Sequence, residues 1–215
     1  MVKGLLLMSP ESTAAAAVRT RTAGNLADFF SLTKPGIVFS ILVSTITGYI
    51  LALPETARFS WVTAFHLLAG TAMVAGGAGA LNMLLEMESD SVMERTRSRP
   101  LPDGRITPGQ AFLFGAMIAS FGAVHLCLKV NMLSGFLAAC SLAVYLTLYT
   151  PLKKVSPLCT AVGAVSGALP PLIGWSAGAA TVDSRGMTLF AILFLWQMPH
   201  LLALGWLYRA DYGRA

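Results

Sequence analysis

The sequence predicts an all-α, polytopic transmembrane helix bundle, and three observations carry that prediction. The 215 residues are 55% apolar and only 12% charged, about half the charged share of an ordinary soluble domain. Mean hydropathy is +0.68. The charges are clustered, so that long uncharged runs lie between them. A water-soluble chain of this size has too little interior to hide so much hydrocarbon. This excludes a soluble globular enzyme, a disordered chain and a nucleic-acid-binding domain. The net charge of +5 therefore reports orientation in a lipid bilayer and not a polyanionic partner.

The elements follow in order. Residues 1–34, with their alanine run and scattered Ser and Thr, read as a short cytoplasmic tail or a weak transit peptide. Residues 35–215 form the membrane domain. Its uncharged runs cover 35–54, 59–85, 106–128, 130–152, 155–182 and 186–208. Each is long enough for a helix to cross roughly 30 Å of hydrocarbon, so six spans are expected. The third and fourth should form a tight hairpin around Lys129. Twelve basic residues fall before span one and in the even-numbered connections, against three (Arg58, Lys129, Arg185) in the opposite loops. That asymmetry places the N terminus on the cytoplasmic side. Runs of small residues at 75–82 and 161–180 predict close helix contacts. Pro170 and Pro171 are expected to break or kink the fifth span. Cys127, Cys140 and Cys159 form no CxxC pair and read as small core residues.

One segment departs from the apolar pattern, NMLLEMESDSVMERTRSRPLPDGRITP at 82–108. Asn82, Glu86 and Asp90 recur every four residues and so share one helix face. Glu94 continues that series less well, and Glu88 points away. Arg95, Arg97, Arg99 and Arg105 follow, and Lys153 and Lys154 arrive from the next loop on the same membrane side. Two accounts fit these residues alone. One is a solvated helix end with weak Glu–Arg pairs. The other is a site where oxygen ligands hold Mg²⁺ on a phosphate ester while the cations take up its remaining charge.

The motifs add a resemblance. Asn82-x3-Glu86-x3-Asp90 resembles the NxxxDxxxD signature of the intramembrane UbiA-type prenyltransferases. MERTRSRPLPDGRI (93–106), YTPLKKVSP (149–157), GAVSGALPPLIGW (163–175) and FLWQMPHLLALGWLYRADYGRA (194–215) resemble, in order, elements of the protoheme IX farnesyltransferase (haem O synthase) subfamily. Glu86 departs from the usual Asp but keeps an oxygen ligand. The resemblance implies about nine spans and a second acidic motif that begins here at Asp211, so the chain looks like the N-terminal two-thirds of a protein and is expected to turn over poorly alone.

The resemblance further implies farnesyl transfer from farnesyl diphosphate to a vinyl group of haem B in a bacterial cytoplasmic (inner) membrane, with haem A synthase as a partner. Asn82, Glu86 and Asp90 would hold Mg²⁺, and Asp211 would contribute to a second metal. Arg95, Arg99, Lys153 and Lys154 would neutralise the leaving diphosphate. Tyr145, Tyr149 or Trp175 would face the allylic cation, and His200 would contact haem. A lateral opening would admit the lipid-soluble chain. A quinone-type aromatic prenyltransferase shares this chemistry. A transporter would need ionisable groups inside the spans, where this chain has only His66, His125 and His200.

Overall fold

A computed structural model describes residues 24–153 and 155–209, and among these residues all regular structure is helical. A short helix, α1 (Leu26–Leu32), is followed by α2 (Pro35–Ala52), α3 (Trp61–Leu85), α4 (Met87–Val92), α5 (Pro108–Lys129) and α6 (Met132–Ala143). Helix α6 runs on through a π-helical stretch, Val144–Tyr149, into α7 (Thr150–Leu152); α8 (Cys159–Ala179) and α9 (Ser184–Leu207) complete the order. Six helical rods thus occupy the six uncharged runs. Five are long and apolar enough to cross a membrane, namely α2, α3, α5, α6 to α7, and α9. The remaining rod, α8, spans 21 residues but is rich in Gly, Ala, Ser and Pro. Its position explains that composition. Helix α8 packs on α2, α6 and α9, so small side chains serve it better than bulky ones.

Four of the rods and the short α1 start by local rules, whereas α2 and α8 have no side-chain cap. Thr107 and Asn25 close capping boxes with Gln110 and Asp28, and Asn131, Ser60 and Asp183 cap α6, α3 and α9 through their side-chain oxygens. Each such cap is worth about 1 kcal/mol. The α5–α6 hairpin turns at Val130 and Asn131, as the sequence suggests. Within the segment that reads as a tail, α1 docks against α3 through the fully buried Leu32. Arg105 pins α1 to the loop after α4 by pairing with Asp28.

Packing is closest along two pairs, α3 on α5 and α2 on α8. A Cβ at Gly174 would overlap the carbonyl of Thr45 on α2, and one at Gly122 would press on the backbone of α3 at Gly70. Without a hydrophobic drive between helices in lipid, such backbone approach and buried hydrogen bonds hold the bundle together. Ser134 Oγ and Ser176 Oγ lie 2.7 Å apart, and Asn131 Nδ2 donates to the Ser176 carbonyl at 2.8 Å.

The prolines do not break α8, which runs unbroken through Pro170 and Pro171. Proline at 170 leaves the Ser166 carbonyl without its i+4 donor. Ser141 Oγ on α6 donates to that carbonyl at 3.0 Å. A neighbouring helix thereby satisfies the freed group, which is how membrane helices tolerate internal proline.

Candidate active site

Helix α3 ends at Leu85, and Glu86 is the hinge between it and α4. The i−4 bonding is kept through the hinge, with Glu86 N–H donating to the Asn82 carbonyl at 3.0 Å and Asp90 N–H to the Glu86 carbonyl at 2.8 Å. The predicted stripe therefore survives as one face. Asn82, Glu86 and Asp90 are all buried, whereas Glu88 and Glu94 are exposed. A solvated helix end would expose its acids. These are enclosed.

Each stripe residue meets a cation from a different part of the chain. Lys34 Nζ donates to Asn82 Oδ1 at 2.6 Å, Lys153 Nζ to Glu86 Oε1 at 3.2 Å, and Arg99 Nη1 to Asp90 Oδ2 at 2.5 Å. The start of α2, the end of α3, the loop after α4 and the end of α7 thus converge at one end of the bundle. Asn82 Nδ2 donates to Thr150 Oγ1 at 3.2 Å, and Thr150 Oγ1 donates to the Tyr145 carbonyl at 2.8 Å. The π-helical stretch brings Thr150 to that place: its N–H and its hydroxyl both reach Tyr145, five residues back.

The Lys34 ammonium is deeply enclosed although the residue as a whole is partly exposed. Burial pushes its pKa down to about 8; Glu86 and Asp90 pull it back up, while Arg99 and Lys153 push it down further. A cavity of about 560 Å³ opens beside it, lined in part by Asp28, Ser31, Lys34, Ser98, Arg99 and Arg105. The mouth is therefore polar and rich in cations. The Tyr145 hydroxyl lies within electrostatic reach of Glu86 and Arg99, and its ring stacks on Tyr149 with centroids 5.4 Å apart.

The other sequence-predicted residues fall elsewhere. The Arg95 guanidinium lies over the Tyr208 ring, 4.8 Å from its centroid. His200 is exposed on α9 and stacks on Trp196. Trp175 is buried beside Gly186 at the start of α9, with Arg185 over its ring, and serves packing there. His66 and His125 hydrogen-bond to each other between α3 and α5 at 3.2 Å. Lys154 and Asp211 lie outside the described residues. Lys34 and Thr150 are the residues that sequence reasoning missed. Lys34 counted only toward the positive-inside asymmetry. Thr150 stood unnoticed inside the YTPLKK element.

The donor set suits a hard divalent ion. Among the described residues no three His, Cys, Asp or Glu side chains form a metal cage, but Mg²⁺ typically takes only one or two carboxylates and completes its shell with phosphate oxygens and water. An amide oxygen and two buried carboxylates on one face meet that need, and ammonium and guanidinium groups already stand on those oxygens.

Long apolar helices with buried carboxylates and cations meeting at one end of the bundle define a polytopic intramembrane protein. The UbiA prenyltransferase family pattern matches residues 41–215. The chain is 44% identical over 197 residues to a protoheme IX farnesyltransferase of Solibacter usitatus (strain Ellin6076), covering 87% of this chain and 67% of that protein. It is 40% identical over 210 residues to the protoheme IX farnesyltransferase of Koribacter versatilis (strain Ellin345), covering 97% and 67%. With the mitochondrial protoheme IX farnesyltransferase of Arabidopsis thaliana it shares 40% identity over 185 residues, 86% of this chain and 43% of that one. A solved digeranylgeranylglyceryl phosphate synthase superposes with a TM-score of 0.73 at 18% identity, over 87% of this chain and 65% of that chain. The chain belongs to the UbiA prenyltransferase family. It spans about two-thirds of the length of its bacterial relatives named above.

Proposed function

We propose that the protein transfers the farnesyl group of farnesyl diphosphate to a vinyl group of haem B, giving haem O. The observation that carries this reading is the convergence of Asn82, Glu86 and Asp90 with Lys34, Arg99 and Lys153 at one end of a lipid-embedded bundle. The farnesyltransferase names of its relatives support the choice of substrates. Asn82, Glu86 and Asp90 would hold Mg²⁺, which when bound supplies charge stabilisation to the diphosphate. Arg99, Lys153 and Lys34 would bind the diphosphate oxygens and stabilise the negative charge that builds as the allylic C–O bond breaks. The stacked Tyr145 and Tyr149 rings beside the mouth offer an electron-rich surface to the farnesyl cation. The apolar helix walls would exclude water from it.

Arg95, Lys154, His200 and Asp211 are assigned to substrate from the subfamily pattern alone, and Tyr149 from that pattern together with its stacking on Tyr145. The bacterial cytoplasmic membrane is part of this proposal, and the positive-inside asymmetry supports an orientation with the acidic end of the bundle facing the cytoplasm. Membranes carrying this chain within a protein of its relatives' full length, supplied with haem B, farnesyl diphosphate and Mg²⁺, should accumulate haem O by chromatography, and the 215 residues alone should give little. Asp90→Ala in the full-length protein should abolish haem O, and undiminished product from that variant would overturn the site assignment.

A further inference from the structure

Lys34 breaks several local rules at once. Its backbone is left-handed, φ 53° and ψ 60°, in a residue that is not glycine and that precedes Pro35, where sterics favour extended backbone. It holds the N-cap position of α2 without any side-chain cap, a place that normally selects Ser, Thr, Asp or Asn. It sets a cation at a helix N-terminus, where the dipole favours anions. Local inconsistency of this kind collects at functional sites, where a distant contact offsets it. The contact here is Asn82 Oδ1, 48 residues away.

The Asn82 amide cannot turn away from it. The Thr150 hydroxyl spends its proton on the Tyr145 carbonyl, so it can only accept from Asn82 Nδ2. Asn82 Oδ1 is left facing Lys34. Glu86 and Asp90 are held likewise by Lys153 and Arg99. Two carboxylates against three cations leave the cluster with net positive charge, which disfavours a divalent ion arriving by itself. A diphosphate arriving by itself finds the cations already engaged. Arriving together, ion and diphosphate exchange one set of charge pairs for another.

Resting on the diphosphate-binding reading above, we infer that Lys34 is a built-in counter-cation, which holds Asn82 Oδ1 until metal and diphosphate arrive together and then passes to the diphosphate. The metal and the diphosphate are thereby made mutually dependent ligands. The alternative is a plain tie, in which Lys34 only fastens α2 to α3.

The two accounts differ in sign. Mn²⁺ binding to the purified protein in lipid nanodiscs is measured by electron paramagnetic resonance, alone and with inorganic diphosphate, for wild type, Lys34→Met and Lys34→Gln. The exchange account expects weak Mn²⁺ binding by wild type, strengthened by diphosphate. In Lys34→Met it expects Mn²⁺ alone to bind several-fold tighter and diphosphate in the presence of Mn²⁺ to bind roughly ten-fold more weakly, the scale of one charge-assisted hydrogen bond. Lys34→Gln keeps a donor to Asn82 but no charge, so it should behave like Lys34→Met; a tie would make it behave like wild type. Both affinities falling together, or neither moving, in Lys34→Met would overturn the inference. Wild type that binds no diphosphate with Mn²⁺ would overturn the farnesyl-transfer reading along with it. Thermal melting of each variant separates lost binding from lost fold.

Discussion

Asn82 and Thr150 meet across 68 residues of sequence through one hydrogen bond, from Nδ2 to Oγ1 at 3.2 Å. Both are buried. One ends the second long helix and the other follows the π-helical stretch of the fourth. Their contact sets which atom of the Asn82 amide faces Lys34, so the π-helical distortion of α6 has a direct consequence for the site.

Thr150→Val should leave the fold intact while freeing the Asn82 amide to rotate. A lost partner of a metal-ligating residue typically costs ~10–100-fold in metal affinity. Diphosphate-dependent Mn²⁺ binding should fall by that order, and Thr150→Ser should restore it. Equal binding by Thr150→Val and wild type would show that the amide is oriented by something else.

Gly174→Ala should destabilise the bundle by about 1–3 kcal/mol, the usual cost of forcing a methyl group into a packed core. Its Cβ would overlap the Thr45 carbonyl, which belongs to backbone and cannot swing aside. Gly109→Ala is the control, since a Cβ there meets nothing within 4 Å. Thermal melting in detergent should lower the first variant and leave the second unchanged or slightly raised.

Ser141→Ala removes the donor that satisfies the Ser166 carbonyl beside Pro170. An unsatisfied buried carbonyl costs about 1–3 kcal/mol. Pro170→Ala restores an N–H at the right position within α8, so the double variant should recover part of the loss. Melting temperatures of the two single variants and the double variant measure that coupling; strict additivity would disprove it.

Asp183 caps α9, accepting from the Arg185 and Gly186 N–H groups at 3.1 and 3.0 Å. The Gly186 N–H foremost holds its carboxyl below the usual 3.8; desolvation opposes it, and the charge and hydrogen bonds of Arg185 add to the lowering. A carboxylate whose pKa is lowered on folding stabilises the fold above the ordinary carboxylate pKa and loses that effect as pH falls through its own. Wild type should therefore melt above Asp183→Ala at neutral pH, with the gap closing below about pH 4. A gap independent of pH would refute the ionic share of the cap.

The spans, the hairpin around Lys129 and the acidic face were legible in the sequence because each rests on a local cause: hydropathy over some twenty residues, a charge that interrupts it, a four-residue helical register. Arg95 and Arg99 look alike in that reading. The fold separates them, placing Arg99 on Asp90 and Arg95 on the ring of Tyr208. Sequence also expected the paired prolines to break or kink α8; the helix runs unbroken, and no local rule reveals that Ser141, on another helix, supplies the missing donor.

What the chain determined by itself was a membrane bundle with an amide and two carboxylates on one face, because periodicity and transfer to lipid act along the chain. What tertiary structure decided was which partners those oxygens meet. Lys34 and Thr150 lie 48 and 68 residues from Asn82, and only helix packing, which follows shape and not sequence separation, brings them within bonding distance.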